Sequence, residues 1–123
     1  MDKITKYWVE HSHMVRKKNQ VEKIIKSYLN LLSKEIKIEK VILFGSFANG
    51  TYDNNSDIDL AIISTDFQKK DYITNMRFLL SKTINFDWPP IEALPYTPKE
   101  YNTCDSRTFL AEIKRTGKFI SWH

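Results

Sequence analysis

Apolar residues recur at three- and four-residue spacing in an early stretch of the chain, and this spacing predicts an amphipathic first helix. The segment ahead of it, from Ile4 to Met14, fits either a separate short helix or a mobile arm. The apolar positions of the first helix are Val21, Ile24, Ile25, Tyr28, Leu29, Leu32 and Ile36.

Two short apolar runs follow, and they predict strands buried on both faces, since such strands lack polar alternation. The first run extends from Val41 to Phe44 and ends at Gly45. A turn-rich stretch, residues 49–56, separates the two runs. The apolar residues of the second run are Ile58, Leu60, Ile62 and Ile63, and Asp57 and Asp59 stand at its start.

A second helical face and a third strand are predicted next. Pro89 and Pro90 lead into the strand, which we expect over Ile91 to Leu94. The helical face ahead of it consists of Phe67, Tyr72, Ile73, Met76, Leu79, Leu80 and Ile84.

The C-terminal third carries explicit helix signals. Thr97, Pro98 and Glu100 stand at the capping, first and third positions of a predicted helix. A further helical pattern, Phe109, Leu110 and Ile113, should stop at Gly117 as its C-terminal cap. Residues 118–122 are predicted to add a short last strand.

The order α-β-β-α-β-α, with short central strands, predicts an α+β fold whose sheet is covered mainly on one face. At 123 residues the chain has room for one core, so we expect a single domain over residues 1–123. Hydrophobic residues make up 41% and charged residues 28%, which fits a folded domain with a polar surface.

The formal net charge of +4 favours anionic partners such as nucleotides, nucleic acid or an acidic protein face. The basic residues are spread along the chain apart from Arg16, Lys17 and Lys18, so the charge alone does not predict direct nucleic-acid binding. Cys104 is the sole cysteine, which excludes an internal disulfide. With no apolar run near 20 residues and no signal-peptide pattern, we expect a cytoplasmic protein without a membrane span.

The most informative segment is Gly45-Ser46 followed, after ten intervening residues, by Asp57-Ile58-Asp59. Gly45 ends a strand where a side chain would obstruct a ligand, and Ser46 offers a hydroxyl and an N–H to a phosphate. Asp57 and Asp59 at i and i+2 on a strand point to one face, with α-carbons roughly 6.5–7 Å apart. Two such carboxylates can bind one or two divalent cations. The alternative is a solvated pair that caps a turn.

These two motifs, Leu43 to Gly50 and Ser56 to Leu60, resemble the signature of the DNA polymerase beta-type nucleotidyltransferase superfamily. In length the chain resembles the minimal nucleotidyltransferases of bacteria and archaea, and the resemblance extends from about Val21 to Ile120. It implies a nucleotidyltransferase fold with a small, mixed, twisted sheet flanked by helices. It also implies Mg²⁺ as cofactor and a nucleoside triphosphate, usually ATP, as donor.

The resemblance further implies roles for individual residues. Asp57 and Asp59 would bind Mg²⁺, while Gly45 and Ser46 would bind the terminal phosphates. Members of this superfamily carry a third carboxylate on a neighbouring strand, and Glu92 occupies the matching position. Asp is commoner than Glu at that position. Glu92 would complete the metal site and orient or deprotonate an acceptor hydroxyl. Asp87, just before a Trp-Pro-Pro turn, is the other candidate for this role.

The function implied is transfer of a nucleoside monophosphate, AMP from ATP, to a hydroxyl acceptor. The resemblance also implies a partner, a small helical HEPN-family toxin for which this chain would be the antitoxin. An alternative is a non-catalytic module that binds nucleotide or toxin and inhibits by occlusion. A third is an unrelated α+β domain with a chance motif.

Some aromatic and histidine residues are secondary candidates. Any one of Trp8, Tyr52, Trp88 and Trp122 could stack on the adenine, and the sequence leaves the choice open. His11 and His13 are either a metal pair or, without a third ligand nearby, solvent-exposed side chains.

Overall fold

The computed structural model describes the backbone of residues 3–122 and the side chains of residues 18–122. Its helices are α1 Lys3–Ser33, α2 Ser46–Asn49, α3 Tyr72–Ser81, α4 Pro98–Thr103 and α5 Phe109–Thr116, with a 3-10 turn at Thr65–Gln68. Its strands are β1 Lys40–Phe44, β2 Ile58–Ile63, β3 Ile91–Tyr96 and β4 Lys118–Phe119.

The strands form one mixed sheet in the order β3-β2-β1-β4. β1 is antiparallel to both β2 and β4, while β2 and β3 are parallel and are connected through α3. A parallel pair needs a crossover of this kind because both strands run the same way. The predicted α+β fold, a small mixed sheet flanked by helices, is therefore confirmed.

The larger core lies between one sheet face and the helices α1 and α3. Helix α1 contributes Tyr28, which is buried and donates its O–H to the carbonyl of Leu79 at 2.8 Å, so it links α1 to α3. Burial also raises the pKa of the Tyr28 phenol. Among the described side chains of α1, the other buried ones are at positions that the spacing predicted: Val21, Ile25, Leu29 and Leu32.

Two expectations for the N-terminal region need correction. The stretch from Ile4 to Met14 is neither a separate helix nor an arm, because α1 is continuous over Lys3–Ser33. Ile36 lies beyond the end of that helix, although it still packs against the core. None of the helices in the described part of the chain is long and apolar enough to cross a membrane.

The second face of the sheet is covered in part by α5. Ile113 of α5 packs there against Ile42, Ala61 and Ile63 to form a smaller core. Gly117 ends α5 as predicted, and a Cβ at this position would overlap the Cγ2 atom of Ile42. The glycine therefore lets the C-terminal end of α5 approach β1 closely, and this places α5 over the sheet face that carries the candidate site.

The apolar residues predicted as one helical face of α3 lie on two sides. Leu79 is buried, and Phe67 is buried in the preceding 3-10 turn. Four others are exposed instead: Tyr72, Ile73, Leu80 and Ile84. Periodicity marked the helix correctly, but it did not show that only one of its two apolar sides meets the sheet.

The helix signals near residue 97 are confirmed. The hydroxyl of Thr97 accepts the backbone N–H of Glu100 at 3.1 Å, and the Glu100 carboxylate accepts the N–H of Thr97 at 2.9 Å. With Pro98 at the first position this is a complete capping box. Strand β3, which precedes it, is longer than predicted, and β4 covers only Lys118–Phe119 of the expected last strand.

Candidate active site

Three predicted site residues lie side by side across the sheet. Asp59 on β2 is the register partner of Phe44 on β1 and of Glu92 on β3. Gly45 directly follows Phe44, so it stands next to Asp59 at the end of β1. The pairing of β1, β2 and β3 thus brings the glycine and both carboxylates together at one end of these strands.

Gly45 is required by its own conformation and by its neighbour. Its φ of 73° lies in the region that side chains disfavour. A Cβ at this position would overlap Oδ2 of Asp59. The glycine therefore allows the backbone after β1 to approach the Asp59 carboxylate directly.

Ser46 begins α2, a single helical turn that follows the glycine. The backbone N–H groups of Ala48 and Asn49 both donate to the Gly45 carbonyl, at 3.0 and 3.2 Å. The turn closes at Gly50, which adopts a left-handed conformation. These bonds fix the backbone between Gly45 and Gly50 beside the carboxylates.

Asp59 is electrostatically the most perturbed carboxylate of the site. Its pKa is raised from 3.8 to about 6, first by burial and then by the negative charges of Glu92 and Asp57. Asp57 itself precedes β2 and is exposed. Like charges that raise a pKa in this way favour a bound cation, because the cation removes the repulsion.

A cavity of about 480 Å³ opens over these residues. Gly45, Asp59 and Glu92 line it, whereas Ser46 and Asp57 do not. The sheet forms one wall with Phe44 and Leu94, and α5 forms the other. Three of the five predicted site residues therefore line one cleft, while Ser46 directly follows Gly45 and Asp57 lies two positions before Asp59.

The family comparison agrees with this arrangement. The family model described as "Polymerase beta, Nucleotidyltransferase" matches residues 19–121. The chain belongs to the polymerase beta nucleotidyltransferase family. This match covers both sequence motifs and every strand of the sheet.

Two individual proteins are similar to this nucleotidyltransferase. A Methanocaldococcus jannaschii protein, provisionally assigned as a protein adenylyltransferase, is 43% identical over 58 residues, which are 45% of this chain and 55% of the relative. The matched part thus spans about half of that relative. The crystal structure of a provisionally assigned nucleotidyltransferase from Sulfolobus solfataricus has a TM-score of 0.57 at 19% identity, over 72% of this chain and 77% of the other. At that identity it shows the shared fold alone.

At the candidate site, Glu92 is better placed than Asp87 for the role of the third carboxylate. Glu92 lies on β3, pairs in register with Asp59 and lines the cavity. Asp87 lies in the loop before a cis peptide bond between Trp88 and Pro89, and it is not among the lining residues. The geometry therefore favours the first of the two sequence candidates.

The wall formed by α5 was missed at the sequence level. Phe109, Glu112 and Thr116 line the cavity from this helix. Their spacing of i, i+3 and i+7 places them on one helical side, a signal that the sequence does contain. The sequence does not show that this side of α5 faces Asp59, which lies some 50 positions earlier in the chain.

The aromatic candidates for stacking on the base are placed elsewhere. Tyr52 stacks on Phe47 with ring centroids 4.8 Å apart, and the indole N–H of Trp88 donates to the Asn54 carbonyl at 3.2 Å. Trp122 packs against the larger core. None of these three lines the cavity, whereas Phe109 does. Trp8, His11 and His13 lie outside the described side chains.

No three His, Cys, Asp or Glu side chains among those described already form a compact metal-binding group. The fit to a divalent cation rests instead on the donor set. Asp57, Asp59 and Glu92 supply carboxylate oxygens, the ligands that hard divalent cations prefer. Burial and then the negative charges of Glu92 and Asp57 raise the pKa of Asp59, and a bound cation would offset the part that is due to those charges.

Proposed function

We propose that this chain is a magnesium-dependent nucleotidyltransferase that transfers AMP from ATP to a hydroxyl of a protein. One observation carries the proposal. Gly45 directly after β1, Asp59 on β2 and Glu92 on β3 all line one cavity large enough for a nucleotide.

Asp57, Asp59 and Glu92 are the residues that would hold Mg²⁺. When bound, the ion neutralises phosphate charge and polarises the reacting phosphate, as divalent ions do in phosphoryl-transfer enzymes. The chain itself supplies the negative charges and the close backbone approach at Gly45.

The donor nucleotide is proposed to lie between the sheet and α5. Gly45 and Ser46 would contact its terminal phosphates, since no side chain at residue 45 blocks their approach. At the other wall Phe109 is exposed to 59% and meets Phe44 edge-on, with ring centroids 5.7 Å apart. We assign Phe109 as the aromatic surface for the base, in place of the four aromatics considered from sequence.

In the transfer step Glu92 accepts the proton of the acceptor hydroxyl. The hydroxyl oxygen forms a bond to the α-phosphorus, the bond from that phosphorus to the β-bridging oxygen breaks, and pyrophosphate leaves. Glu92 suits this role because it lines the cavity next to Asp59 yet remains exposed to an incoming acceptor. Positioning of this kind accounts for much of the catalysis in such reactions.

A protein acceptor is supported by the Methanocaldococcus jannaschii relative, whose name assigns it protein adenylylation. For this chain we propose a small helical protein of the HEPN family as the partner to test first, with the chain acting as its antitoxin. This part rests on family resemblance rather than on the geometry of the cavity.

The test follows two labels of ATP in parallel reactions with a purified HEPN-family protein and Mg²⁺. Nucleotidyl transfer moves an α-phosphate label onto the acceptor and releases a γ-phosphate label as pyrophosphate. Movement of the γ-label to protein would indicate phosphoryl transfer instead. If ATP binds and neither label moves to any protein, a non-catalytic module that inhibits by occlusion is the better account.

A further inference from the structure

The solvent side of α3 carries an apolar stripe. Ile73, Met76 and Leu80 follow the i, i+3, i+7 spacing that aligns side chains along a helix. Ile73 and Leu80 are 61% and 66% exposed, and Ile84, just beyond the helix end, is 77% exposed. Contiguous exposed apolar surface of this kind marks an interaction site, because water solvates it poorly.

The stripe forms one wall of a groove of about 310 Å³ between α3 and β3. Ile91 and Ala93 of β3 line the opposite wall, and both are buried in the larger core. Arg77 supplies the only charged side chain of the groove besides Glu92, counted over the lining residues described. The described walls of the groove are therefore mainly apolar, with Arg77 as their cation and Glu92 as their carboxylate.

Glu92 is the residue that connects this groove to the active-site cavity. It lines both spaces, and no other described residue is common to the two linings. A group lying in the groove therefore reaches the carboxylate from the side opposite α5. The cavity proposed for the donor lies on one side of Glu92 and the groove opens on the other.

We propose that the groove between α3 and β3 binds an apolar α-helix of the acceptor protein and presents its hydroxyl to Glu92. This inference rests on the proposed nucleotidyl transfer and deepens it by assigning the acceptor side. The part of the stripe that lies on α3, from Ile73 to Leu80, is roughly 10 Å long at 1.5 Å per residue, which matches about two turns of a partner helix. Ridge-to-groove packing of two helices needs such a row of side chains.

The chemistry of the groove specifies the face of that helix. The contacting face of the partner helix carries aliphatic side chains against Ile73 and Leu80 and an acidic side chain near Arg77. A nucleic-acid acceptor does not fit, because binding a phosphate backbone requires several cations along its path. A small polar acceptor would leave the apolar walls in water.

The test compares variants in transfer of α-labelled ATP, with Mg²⁺, into a whole extract of the source cells. The labelled acceptor and its modified residue are identified by mass spectrometry and the acceptor is then purified. Leu80→Glu and, independently, Ile73→Glu should each lower labelling of that acceptor at least 10-fold, through a raised KM for the acceptor. Phe119→Glu is the matched control, since Phe119 is 64% exposed on β4, at the other edge of the sheet.

Calorimetry of Mg-ATP binding distinguishes a failure of acceptor docking from a failure of nucleotidyl transfer. Loss of labelling with unchanged Mg-ATP affinity supports acceptor docking in the groove. Native-level labelling by both glutamate variants overturns the docking and leaves the transfer function standing. No labelled protein with the native chain, despite Mg-ATP binding, overturns both. A native dimer that Leu80→Glu converts to monomer assigns the groove to a second copy and contradicts the proposed occupant.

Discussion

Asp59 and Glu92 are register partners on the parallel strands β2 and β3, so the two carboxylate residues lie side by side across the sheet. Their mutual repulsion, added to burial, raises the pKa of Asp59 to about 6. Natural strands tolerate such a pair where a cation or a proton neutralises it. The pair is therefore the physical centre of the proposed function, and it makes the domain sensitive to pH.

The first prediction concerns stability against pH in the presence of EDTA. Folded Asp59 keeps its proton up to about pH 6, whereas the unfolded chain releases it near pH 3.8. The contribution of Asp59 to the free energy of unfolding should therefore fall as pH rises from about 4 to 6, and then level off. Asp59→Asn removes this pH-dependent loss. Between pH 4 and pH 7, the free energy of unfolding of the variant relative to the native chain should therefore rise by on the order of 1–2 kcal/mol.

Urea unfolding at each pH measures this difference, and Asp71→Asn provides a control of opposite sign. Asp71 caps α3, and its hydrogen bonds to Thr74 hold its pKa below the usual range. Its stabilisation is present above the unfolded pKa and is lost as pH falls, so Asp71→Asn should be costlier at pH 7 than at pH 3. A flat difference for Asp59→Asn would mean that its carboxylate is not perturbed in the folded chain.

The second prediction compares two glycines. Gly45→Ala should destabilise the fold by more than the roughly 1 kcal/mol that a left-handed alanine costs, because its Cβ would also overlap Asp59. It should abolish Mg-ATP binding as well. Gly50→Ala shares the positive φ but meets open space, so it should show only the backbone cost and retain binding. Equal effects of the two substitutions in melts and calorimetry would refute the close approach at Gly45.

Sequence reasoning succeeded where the signal was local. The run from Val41 to Gly45 predicted β1 and its end, and Thr97 with Glu100 predicted the start of α4. Backbone hydrogen bonding and capping act within a few residues, so these features are legible in the chain itself. The prediction that Glu92 lies inside the third strand is confirmed in the same way, although its catalytic role stays a prediction.

The rest depends on contacts between distant segments. Ile73 and Leu80 fit the helical period as well as Leu79 does, and only the packing of α3 on the sheet determines which side is buried. Sequence periodicity places Phe109 in a helical pattern with Leu110 and Ile113, but only the packing of α5 against β1 shows that Phe109 lines the cavity. Hydrophobic periodicity and capping signals do not determine which side of a helix packs on the sheet or lines the cavity.

The third prediction tests the α5 wall. Phe109→Leu should weaken nucleotide binding by about 10-fold, in the range of one lost stacking contact, with similar losses for ATP and GTP. Since Phe109 is 59% exposed, thermal stability should change little. Phe119→Leu is the control, because Phe119 is comparably exposed but outside the cavity. Unchanged calorimetric affinity for Phe109→Leu would remove this residue from the site.

The fourth prediction couples the cation to the nucleotide. Mg-ATP at a hundredfold excess over its Kd should raise the free energy of unfolding by about 2.7 kcal/mol. The double variant Asp57→Asn/Asp59→Asn should lose this stabilisation while remaining folded, since it removes the carboxylate repulsion at Asp59. Thermal melts with ATP alone, Mg²⁺ alone and both together provide the measurement. An equal shift for native and double variant would locate nucleotide binding elsewhere.

The most direct test of the central claim is label transfer from α-labelled ATP by Glu92→Gln, set against Asp87→Asn. Glu92 lies in the cavity beside Asp59 and Asp87 lies outside it, so the two substitutions separate a positioned acid–base group from a nearby carboxylate. We predict that Glu92→Gln lowers transfer by a factor on the order of 10²–10⁴ with Mg-ATP affinity nearly intact, and that Asp87→Asn transfers like the native chain. Native-level transfer by Glu92→Gln would contradict the account.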